Sequence, residues 1–441
     1  MKKFIESLQN IWKVEELRKR IIFTLMLILV YRIGSFIVLP GIDQAALAQS
    51  SANPNGLESL LDLFAGGAFS NASIMALGIM PYISASIIMQ LLGMAVPAVQ
   101  KMQKDGESGR RKLNGYTRFL TIVICAFQGP SYIGMYVISK GGIADPSVLW
   151  WTTSIMLLIA GTMFAMWLGE RITDNGIGNG ISLLITVGIL ARFPMATVTE
   201  FNMRMGGEGG ILMFIIELLA FFAIVLITVL IVQGVRRVPI NYAKRMAGSG
   251  KMEQTARSYI PLKVNASGVM PIIFAQAIMT VPGMINNTGG NAILNALSDY
   301  RGFWYNALFA LLIIVFTYFY TAITINPKQI ADDLKRNGGF VPGVKPGTET
   351  ADFIDTILSR ITFPGSLMLA GVAIIPAFAM LAGVGDSFAM FMGGTSMLIM
   401  VGVVLDTLQQ IETYLLNRHY DGLMEGGKIR GRRGNESTST I

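Results

Sequence analysis

Apolar stretches of about 20 residues recur along the chain, separated by polar segments, which is the pattern of a protein that crosses a membrane repeatedly. Because a helix of about 20 residues spans the hydrocarbon layer, each stretch predicts one membrane helix. Ten are predicted, near residues 21–39, 74–92, 117–138, 148–168, 180–198, 211–233, 264–285, 303–325, 363–385 and 388–411. The fifth is the weakest, since Arg192 and Pro194 interrupt it. The first reaches Pro40-Gly41 without a small-residue cleavage site, so a membrane helix is expected there and not a signal sequence.

A broken segment precedes the second stretch, over residues 57–73. Its short amphipathic part is interrupted by Gly66-Gly67 and by a polar run from Ser70 to Ser73. Within a bilayer, such a break leaves backbone groups unpaired unless they line a cavity walled by protein or filled with water. The pattern therefore favours a segment that lies in a pore, with an amphipathic hairpin at the membrane surface as the alternative.

The second stretch carries a motif that returns 190 positions later. Gly78-Ile-Met-Pro81 is echoed by Gly268-Val-Met-Pro271, and the two motifs continue to Ile83 and Ile273 at the same offset from their glycines. Matching helices interrupted by Gly and Pro in two halves of a membrane protein indicate a transport path between the halves.

The distribution of charge predicts the orientation of the chain. Hydrophobic residues make up 52% of the sequence, charged residues 14%, and the mean hydropathy is +0.55, which is typical of an integral membrane protein. An even number of spans places both termini on one side, which carries 30 of the 35 Lys and Arg residues. The other side is expected to carry Lys140, Arg192, Arg204 and Arg301, and Arg32 lies in the first span. By the positive-inside rule, both termini are predicted to be cytoplasmic.

Residues for catalysis or metal binding are scarce. One cysteine, Cys125, leaves no partner for an internal disulfide, and one histidine, His419, cannot build a histidine-based metal site or a Ser/His/Asp set. Gly248-Ser-Gly-Lys251 lacks the upstream Gly and the following Ser or Thr of a phosphate-binding loop. No enzymatic activity, cofactor or metal is therefore expected.

Two long basic segments lie on the predicted cytoplasmic side. Residues 234–263 carry seven basic residues and one acid, and residues 327–362 carry five basic and five acidic residues. About three or four charges would set the orientation, so segments of this length favour docking surfaces for macromolecules. A contribution from anionic lipids is the alternative.

Several long strings occur in the order found in one family of membrane proteins. They are Tyr31–Phe36, Phe64–Gly67, Ala76–Ser86, Gly106–Lys112, Gly169–Thr173, Gly176–Ser182, Arg236–Arg245, Phe340–Gly347 and Gly393–Ser396. Through them the chain, from about Lys13 to Gly422, resembles the SecY family, the channel subunits of the bacterial protein-export translocon. One departure is Lys345, where the family usually has Arg; lysine keeps the charge but lacks the planar fork of donors.

The resemblance implies an all-α membrane protein of ten helices in two inverted five-helix halves around a central pore. The halves would be residues 21–198 and 211–411, with a cytoplasmic segment at 1–20 and a cytoplasmic tail at 412–441. The implied location is the cytoplasmic (inner) membrane of a bacterium. The implied function is to pass unfolded preproteins across that membrane and to release membrane segments sideways into lipid.

The resemblance also assigns roles to residues. A ring of bulky aliphatic side chains would seal the pore, namely Ile79, Ile83, Ile181, Ile185, Ile273 and Ile399. The broken segment 57–73 would be a plug, with Leu60, Leu63, Phe64, Gly66, Gly67 and Phe69. Spans two and seven would form a lateral gate with Ile87, Gln90, Gln128, Gln276 and Ala277. Hydrogen bonds among the three glutamines would hold that gate shut, although ordinary bundle packing explains them equally well.

The implied partners are small membrane subunits like SecE and SecG, the motor ATPase SecA, the ribosome, preprotein signal sequences and anionic lipids. The docking residues for SecA or the ribosome would be Arg236, Arg237, Lys244, Arg245, Lys251, Arg257 and Lys345.

Two other classes of function stay open on the residue pattern alone. A secondary transporter of a small solute also uses inverted repeats, but it needs ionisable groups near the membrane midplane. The inner spans offer only Arg32, Glu217 and Asp406, all toward helix ends. A membrane enzyme is the third class, and the scarcity of catalytic residue sets argues against it.

Overall fold

The computed structural model describes residues 12, 14–44, 46–47, 62–143, 146–207, 210–242, 258–286, 296–297 and 299–426. Within these residues the first helices are α1 (Glu15–Gly34), α2 (Met80–Ala95), α3 (Pro97–Lys104), α4 (Gly106–Tyr132, followed by a π-helical turn Ile133–Ile138), α5 (Val148–Asn175), α6 (Gly180–Met205) and α7 (Gly210–Gln233). The later helices are α8 (Met270–Asn286), α9 (Phe303–Thr324), α10 (Pro327–Arg336), α11 (Thr348–Leu381), α12 (Asp386–Ala389) and α13 (Gly394–Gly426).

Each of the ten predicted spans coincides with one of these helices. Within the described residues, seven are long and apolar enough to cross a membrane alone, namely α4, α5, α6, α7, α9, α11 and α13. The pair α2 and α3, bent at a short break, forms an eighth candidate, and α8 contains a shorter apolar helix over Met270–Met279. α1 matches the first predicted span, although its two ends carry charged residues.

The internal repeat is a repeat of structure as well as of sequence. Gly78 and Gly268 both adopt a left-handed backbone, with φ of 54° and 64°, and α2 and α8 both begin two residues later with a Met-Pro pair. A left-handed glycine ends the preceding turn, and proline in the first helical turn loses no hydrogen bond. The predicted starts of these spans, at 74 and 264, were therefore wrong, because turns occupy 74–79 and 264–269. Span ten likewise begins at Gly394 and not at 388.

α6 is continuous through Arg192 and Pro194, which had made the fifth span the weakest prediction. It extends to Met205, so Arg192 and Arg204 lie in the helix and not in an outer loop, as the charge count had assumed. Both arginines are paired with carboxylates, Arg192 with Asp62 and Arg204 with Glu200 and Glu217. Pairing makes a charge within an apolar span tolerable.

Three apolar clusters organise the helices. One draws its buried residues from Tyr31 to Leu184, within the first half, and another draws them from Ile231 to Leu398, within the second half. The third joins the halves, because it combines residues before position 200 with residues after 220. We call this third cluster the junction core.

A small sheet lies outside the helical bundle. β1 (Val235–Tyr242) pairs antiparallel with β2 (Ser258–Lys263) and with β3 (Gly339–Phe340), in the order β2-β1-β3. Val238, Ile240 and Leu262 are buried against Leu334 of α10 and Ile354 of α11. The two segments that were predicted as separate basic loops therefore fold together on one apolar cluster.

Candidate functional site

Five of the six isoleucines predicted to form a ring meet at the junction core. Ile185 and Ile399 are buried in it, and Ile83, Ile181 and Ile273 pack against it from both halves. Ile79 belongs instead to the first-half cluster, which Ile83 and Ile181 also touch. The six side chains thus line one continuous apolar region, although they come from four helices and from the turn before α2.

The segment predicted to be the plug packs against this region. Its described part begins at Asp62 with a single helical turn to Ala65 and continues as turns through Ser73. Leu63 and Phe64 are buried in the junction core, and Ala65, Ala68 and Phe69 are buried in the first-half cluster together with Ile79. The plug therefore contacts both groups of ring isoleucines. Leu60 lies outside the described residues.

The two glycines of the plug allow a close approach to α6. Gly66 and Gly67 have φ of 63° and 93°, a left-handed backbone that favours glycine. A Cβ atom on Gly66 would lie 2.6 Å from the Cα atom of Gly188 on α6. Only a glycine facing a glycine fits this contact.

Two arginines on different helices form hydrogen bonds to the plug. Arg192 of α6 donates hydrogen bonds to the Asp62 carboxylate and to the Ser70 hydroxyl. Asp62 Oδ1 also accepts from the Ser70 N–H at 2.8 Å, so the carboxylate closes the turn internally. Arg32 of α1 donates from Nη1 to the Gly66 carbonyl at 2.9 Å.

Aromatic residues support the far end of the plug. The rings of Tyr132 and Tyr136 each lie 4.8 Å from the Phe69 ring, centroid to centroid. Their hydroxyls donate to plug carbonyls, Tyr132 to Phe69 at 2.8 Å and Tyr136 to Ser70 at 3.3 Å. The carbonyl groups that the broken helix leaves unpaired are in this way satisfied by the protein.

The plug is also tied to the segment after α1. Leu39 N–H donates to the Ala72 carbonyl at 3.0 Å, and Ile74 N–H donates to the Ile37 carbonyl at 2.8 Å. Val38 and Ser73 form the corresponding antiparallel bridge. Residues 37–39 thus supply a short backbone anchor where the plug runs on toward α2.

A cavity of about 270 Å³ lies between the plug and α6. Asp62, Ser70, Arg192 and Lys140 contribute its polar lining, and Phe69 and Phe391 are among its apolar lining. The side chains of Arg192 and Asp62 remain 34% and 18% exposed. The ion pair between plug and helix therefore borders open space.

The residues assigned to the lateral gate form fewer contacts with one another than the plug residues form with their surroundings. Ile87 is buried and Ala277 is half-buried. Gln90 donates to Ser86 on its own helix at 3.3 Å, and Gln276 shares a hydrogen bond with Tyr305 on α9, while Gln128 is half-buried. The bridge predicted between glutamines is therefore not supported, and ordinary bundle packing accounts for Gln90 and Gln276. In their first turns the two helices share a contact, because Ile83 and Ile273 both pack against the junction core.

Part of the predicted docking surface is described. Arg236 and Arg237 are exposed on β1, just before the buried Val238. Lys345 is exposed beside β3, and its Nζ lies 3.5 Å from Glu349 Oε1. Lys244, Arg245, Lys251 and Arg257 lie outside the described residues.

A buried ionic cluster, which the sequence did not indicate, lies beyond the junction core. Glu200, Arg204 and Glu217 are at most 6% exposed. Arg204 Nε lies 3.2 Å from Glu200 Oε1, and Arg204 Nη2 donates to Glu217 and, at 2.6 Å, to the Gly383 carbonyl. The Gly385 N–H donates to Glu200 at 3.0 Å. These contacts join α6 and α7 to the turn after α11, which leads to Phe388 in the junction core.

The pairing of Asp62 with Arg192 was also missed from the sequence. One signal was available: each residue is an isolated charge in an otherwise apolar stretch, and the two have opposite signs. Charges in membrane segments tend to pair with one another. Applied to these two residues, that rule would have linked the broken segment to the fifth span.

Comparison with known proteins agrees with this architecture. The sequence model of the SecY family matches residues 73–408. The protein translocase subunit SecY of Thermotoga maritima is 40% identical over 441 residues, covering 97% of this chain and 100% of that relative.

Solved channel structures share the fold. One is a SecY protein whose plug domain stabilises the closed state of the translocation channel and maintains a membrane seal; its TM-score is 0.64 at 16% identity, over 93% of this chain and 94% of that one. Another is Sec61 in the canine ribosome-channel complex from the endoplasmic reticulum, with a TM-score of 0.60 at 17% identity and the same coverage. These similarities confirm an all-α membrane fold of ten helices.

Proposed function

The chain belongs to the SecY family, and from this membership we propose that it is a protein-conducting channel that passes unfolded preproteins across the membrane and releases membrane segments sideways into lipid. One observation carries the proposal: isoleucines from both halves converge on a single apolar cluster in which the plug is seated. A pathway that opens between the halves would pass through this point, where the repeat α2/α8 also converges.

The ring isoleucines are proposed to be the seal. A narrow apolar constriction resists wetting and so blocks ions, while its flexible aliphatic side chains yield to a passing polypeptide. The burial of Ile185 and Ile399, at 6% and 3% exposed, supports a closed constriction. Packing of Ile83 and Ile273 against the same cluster supports contributions from both gate helices.

The segment 57–73 is proposed to be the plug that closes this constriction. The contact of Gly66 with Gly188 and the hydrogen bonds from Arg32 and Arg192 support a defined seat. The SecY relative in which a plug domain maintains a membrane seal supports the same role here.

The first turns of α2 and α8 are proposed to form the lateral gate. Their equivalence in the repeat and their shared contact with the junction core support this assignment. Ile87 and Ala277 lie further along the same helices. Opening would separate the two helices and expose the pore to lipid.

The sheet β1–β3 and the basic residues between β1 and β2, namely Lys244, Arg245, Lys251 and Arg257, are proposed to dock SecA or the ribosome. A ribosome complex contains the Sec61 relative, which supports the ribosome as one partner. SecE-like and SecG-like membrane subunits, signal sequences and anionic lipids complete the proposed set of partners. The proposed location is the bacterial inner membrane, with both termini in the cytoplasm, and no catalytic activity is assigned.

The test is reconstitution. The full-length chain, purified with its bound membrane subunits, is placed in lipid vesicles with a SecA-type motor, ATP and an unfolded preprotein. The preprotein is expected to become protected from added protease only when ATP and the chain are both present. Vesicles that accumulate a small solute along an ion gradient, without protecting any preprotein, would favour the secondary transporter instead.

A further inference from the structure

We propose that Arg192, Asp62 and Ser70 form a polar latch that holds the plug closed and so sets how readily the channel opens. The proposal rests on the proposed function, because it assigns a controlling element within that channel. Its consequence is specific: the latch would determine both the resting leak of ions and how effective a signal sequence must be to open the channel.

Hydrogen bonds connect Arg192, Asp62 and Ser70 to one another. One terminal nitrogen of Arg192, Nη2, donates to the carboxylate of Asp62 and to the hydroxyl of Ser70. The other carboxylate oxygen of Asp62 accepts from the Ser70 N–H at 2.8 Å. Helix α6 therefore contacts the plug turn both at its start and at its end. Asp62 and Ser70 lie 130 and 122 residues before Arg192 in the sequence.

The contacts of Arg192 are directed to the plug. Its guanidinium also covers the backbone of Gly67, where a Cβ atom would lie 3.0 Å from Nη2. The plug could not leave its seat without breaking the ion pair and the hydrogen bond to Ser70. Charge-assisted hydrogen bonds of this kind are stronger than neutral ones.

The surroundings of Arg192 suit a contact that is made and broken. The side chain is 34% exposed and borders the cavity of about 270 Å³, so water can replace its partners when the plug moves. Arg204, twelve residues further along α6, provides the contrast: it is 6% exposed and joins helices to one another. An ion pair that can be rehydrated costs less to open than a fully buried one.

A second contact, from another helix, would act together with the latch. Arg32 of α1 donates to the Gly66 carbonyl at 2.9 Å, within the same turn that Arg192 covers. Arg32 binds a backbone carbonyl, so this hydrogen bond does not depend on the side chains of the plug as long as the turn is kept. The charge of Asp62 is therefore what couples the plug to Arg192 in particular.

The experiment compares Arg192→Ala, Asp62→Ala and the double variant in vesicles that contain the full-length chain and its bound subunits. Two quantities are measured: chloride leak without preprotein, and motor-driven uptake of a preprotein with a defective signal sequence. Each single variant is expected to raise both on the order of tenfold, the typical effect of losing a hydrogen bond to a charged group. Because the two residues share one ion pair, the effects of the single variants should not add fully, and the double variant should leak less than their combined effects predict.

The charge swap Asp62→Arg with Arg192→Asp should restore much of the seal. Arg301→Ala is the control for the loss of an exposed ion pair, since Arg301 pairs with Asp386 and neither residue is among those that line the cavity beside Asp62 and Arg192. It is expected to leave both quantities unchanged.

Three outcomes would overturn the latch. In the first, the single variants leak no more chloride than wild type while Ile399→Asn does leak. In the second, the effects of the two single variants add fully in the double variant, and in the third, Arg301→Ala leaks as much as the latch variants. Uptake of an intact preprotein by the wild-type chain is measured in the same vesicles. A wild type that translocates beside latch variants that do not leak would refute the latch alone. A wild type that does not translocate would refute the proposed function.

Discussion

At the scale of single residues, the ring isoleucines differ in how far they are enclosed. Ile185 and Ile399 are buried, whereas Ile83, Ile181 and Ile273 are half-buried at the edge of the junction core. Replacing Ile399 or Ile83 with Asn puts an amide into this apolar constriction, at a cost of roughly 1–3 kcal/mol to the closed state. Ion leak across vesicles is expected to rise by about tenfold or more, and preproteins with defective signal sequences should be exported more readily.

The matched controls for this prediction are Ile399→Leu and Ile83→Leu. They keep the aliphatic surface and volume, so the seal should change little. Chloride flux and export of a signal-defective reporter are the measurements. If the Asn variants conduct no more than the Leu variants, these isoleucines do not line the pore.

A second prediction at this scale concerns the seat of the plug. Gly66→Ala strains a backbone with φ of 63° and drives a methyl group to 2.6 Å from the Cα atom of Gly188. The plug should be displaced and the resting leak should rise severalfold, because a backbone contact cannot relax as a side chain can.

Gly141→Ala is a control that distinguishes backbone strain from the steric contact with Gly188. Gly141 has a similar φ of 74°, but a Cβ atom there would meet nothing within 4 Å. Both variants should lose about 1–2 kcal/mol of stability from the left-handed backbone, and only Gly66→Ala should leak. An equal leak from both would mean that the seat on Gly188 does not matter.

The sequence predicted which isoleucines would form the ring but not which residues contact the predicted plug. The isoleucine positions follow from motifs and, for Ile83 and Ile273, from an internal repeat that is visible in the chain itself. The partners of the plug are 34 to 130 residues away, and no local periodicity links residues so far apart. The sequence likewise did not indicate the partners of Gln90 and Gln276, which are Ser86 and Tyr305.

At the scale of elements, α2 and α8 are equivalent by their shared start. Both follow a left-handed glycine and begin with Met-Pro, and both meet the junction core with an isoleucine in the first turn. If they also face each other as a lateral gate, cysteines at Ile87 and Ala277, in a Cys125→Ser background, should crosslink through a bifunctional reagent. Locking the gate in this way should block preprotein uptake in most crosslinked molecules.

The control pair lies within the second half, at Ile313 and Leu369, which share one apolar cluster. Crosslinking there reports that the reagent reaches the protein, and it leaves the proposed gate free to open. Crosslink yield and preprotein uptake are measured on the same samples. Efficient control crosslinking with no product from several α2–α8 pairs would contradict the gate.

Apolar length predicted the helices well, because a span must bury its backbone hydrogen bonds internally and is recognisable from its own sequence. It placed their starts poorly, since glycine and proline end or begin helices inside apolar runs, as at 74–79 and 264–269. The sheet was not predicted, because β1 contains Pro239 and pairs with strands from two separate segments. β3 pairs only with Asn241 and Tyr242, beyond that proline.

At the scale of the whole molecule, the sheet β1–β3 joins the strongly basic segment 234–263 and the mixed-charge segment 327–362 into one surface connected to the bundle. β2 ends at Lys263, seven residues before α8 begins, so a partner bound to the sheet would be coupled to the proposed gate. Arg236 and Arg237 are exposed, while the neighbouring Val238 holds the sheet to its apolar cluster. Charge can therefore be changed on this surface without removing the packing beneath it.

Reversing Arg236 and Arg237 to Glu should weaken binding of a motor ATPase or a ribosome and should lower preprotein uptake severalfold, because the complementary field is lost. Extending the reversal to Lys244 and Arg245 should deepen the loss, and 26 of the 30 cytoplasmic basic residues would remain to keep the orientation. Arg110→Glu with Arg111→Glu is the control, since these exposed residues at the start of α4 undergo the same change of charge elsewhere. Binding and uptake are measured at two salt concentrations, and the difference between wild type and variant should shrink at high salt as the Debye length falls below about 8 Å. Correctly oriented variants that bind and translocate like wild type, or a control that fails equally, would mean that these charges serve only to orient the chain.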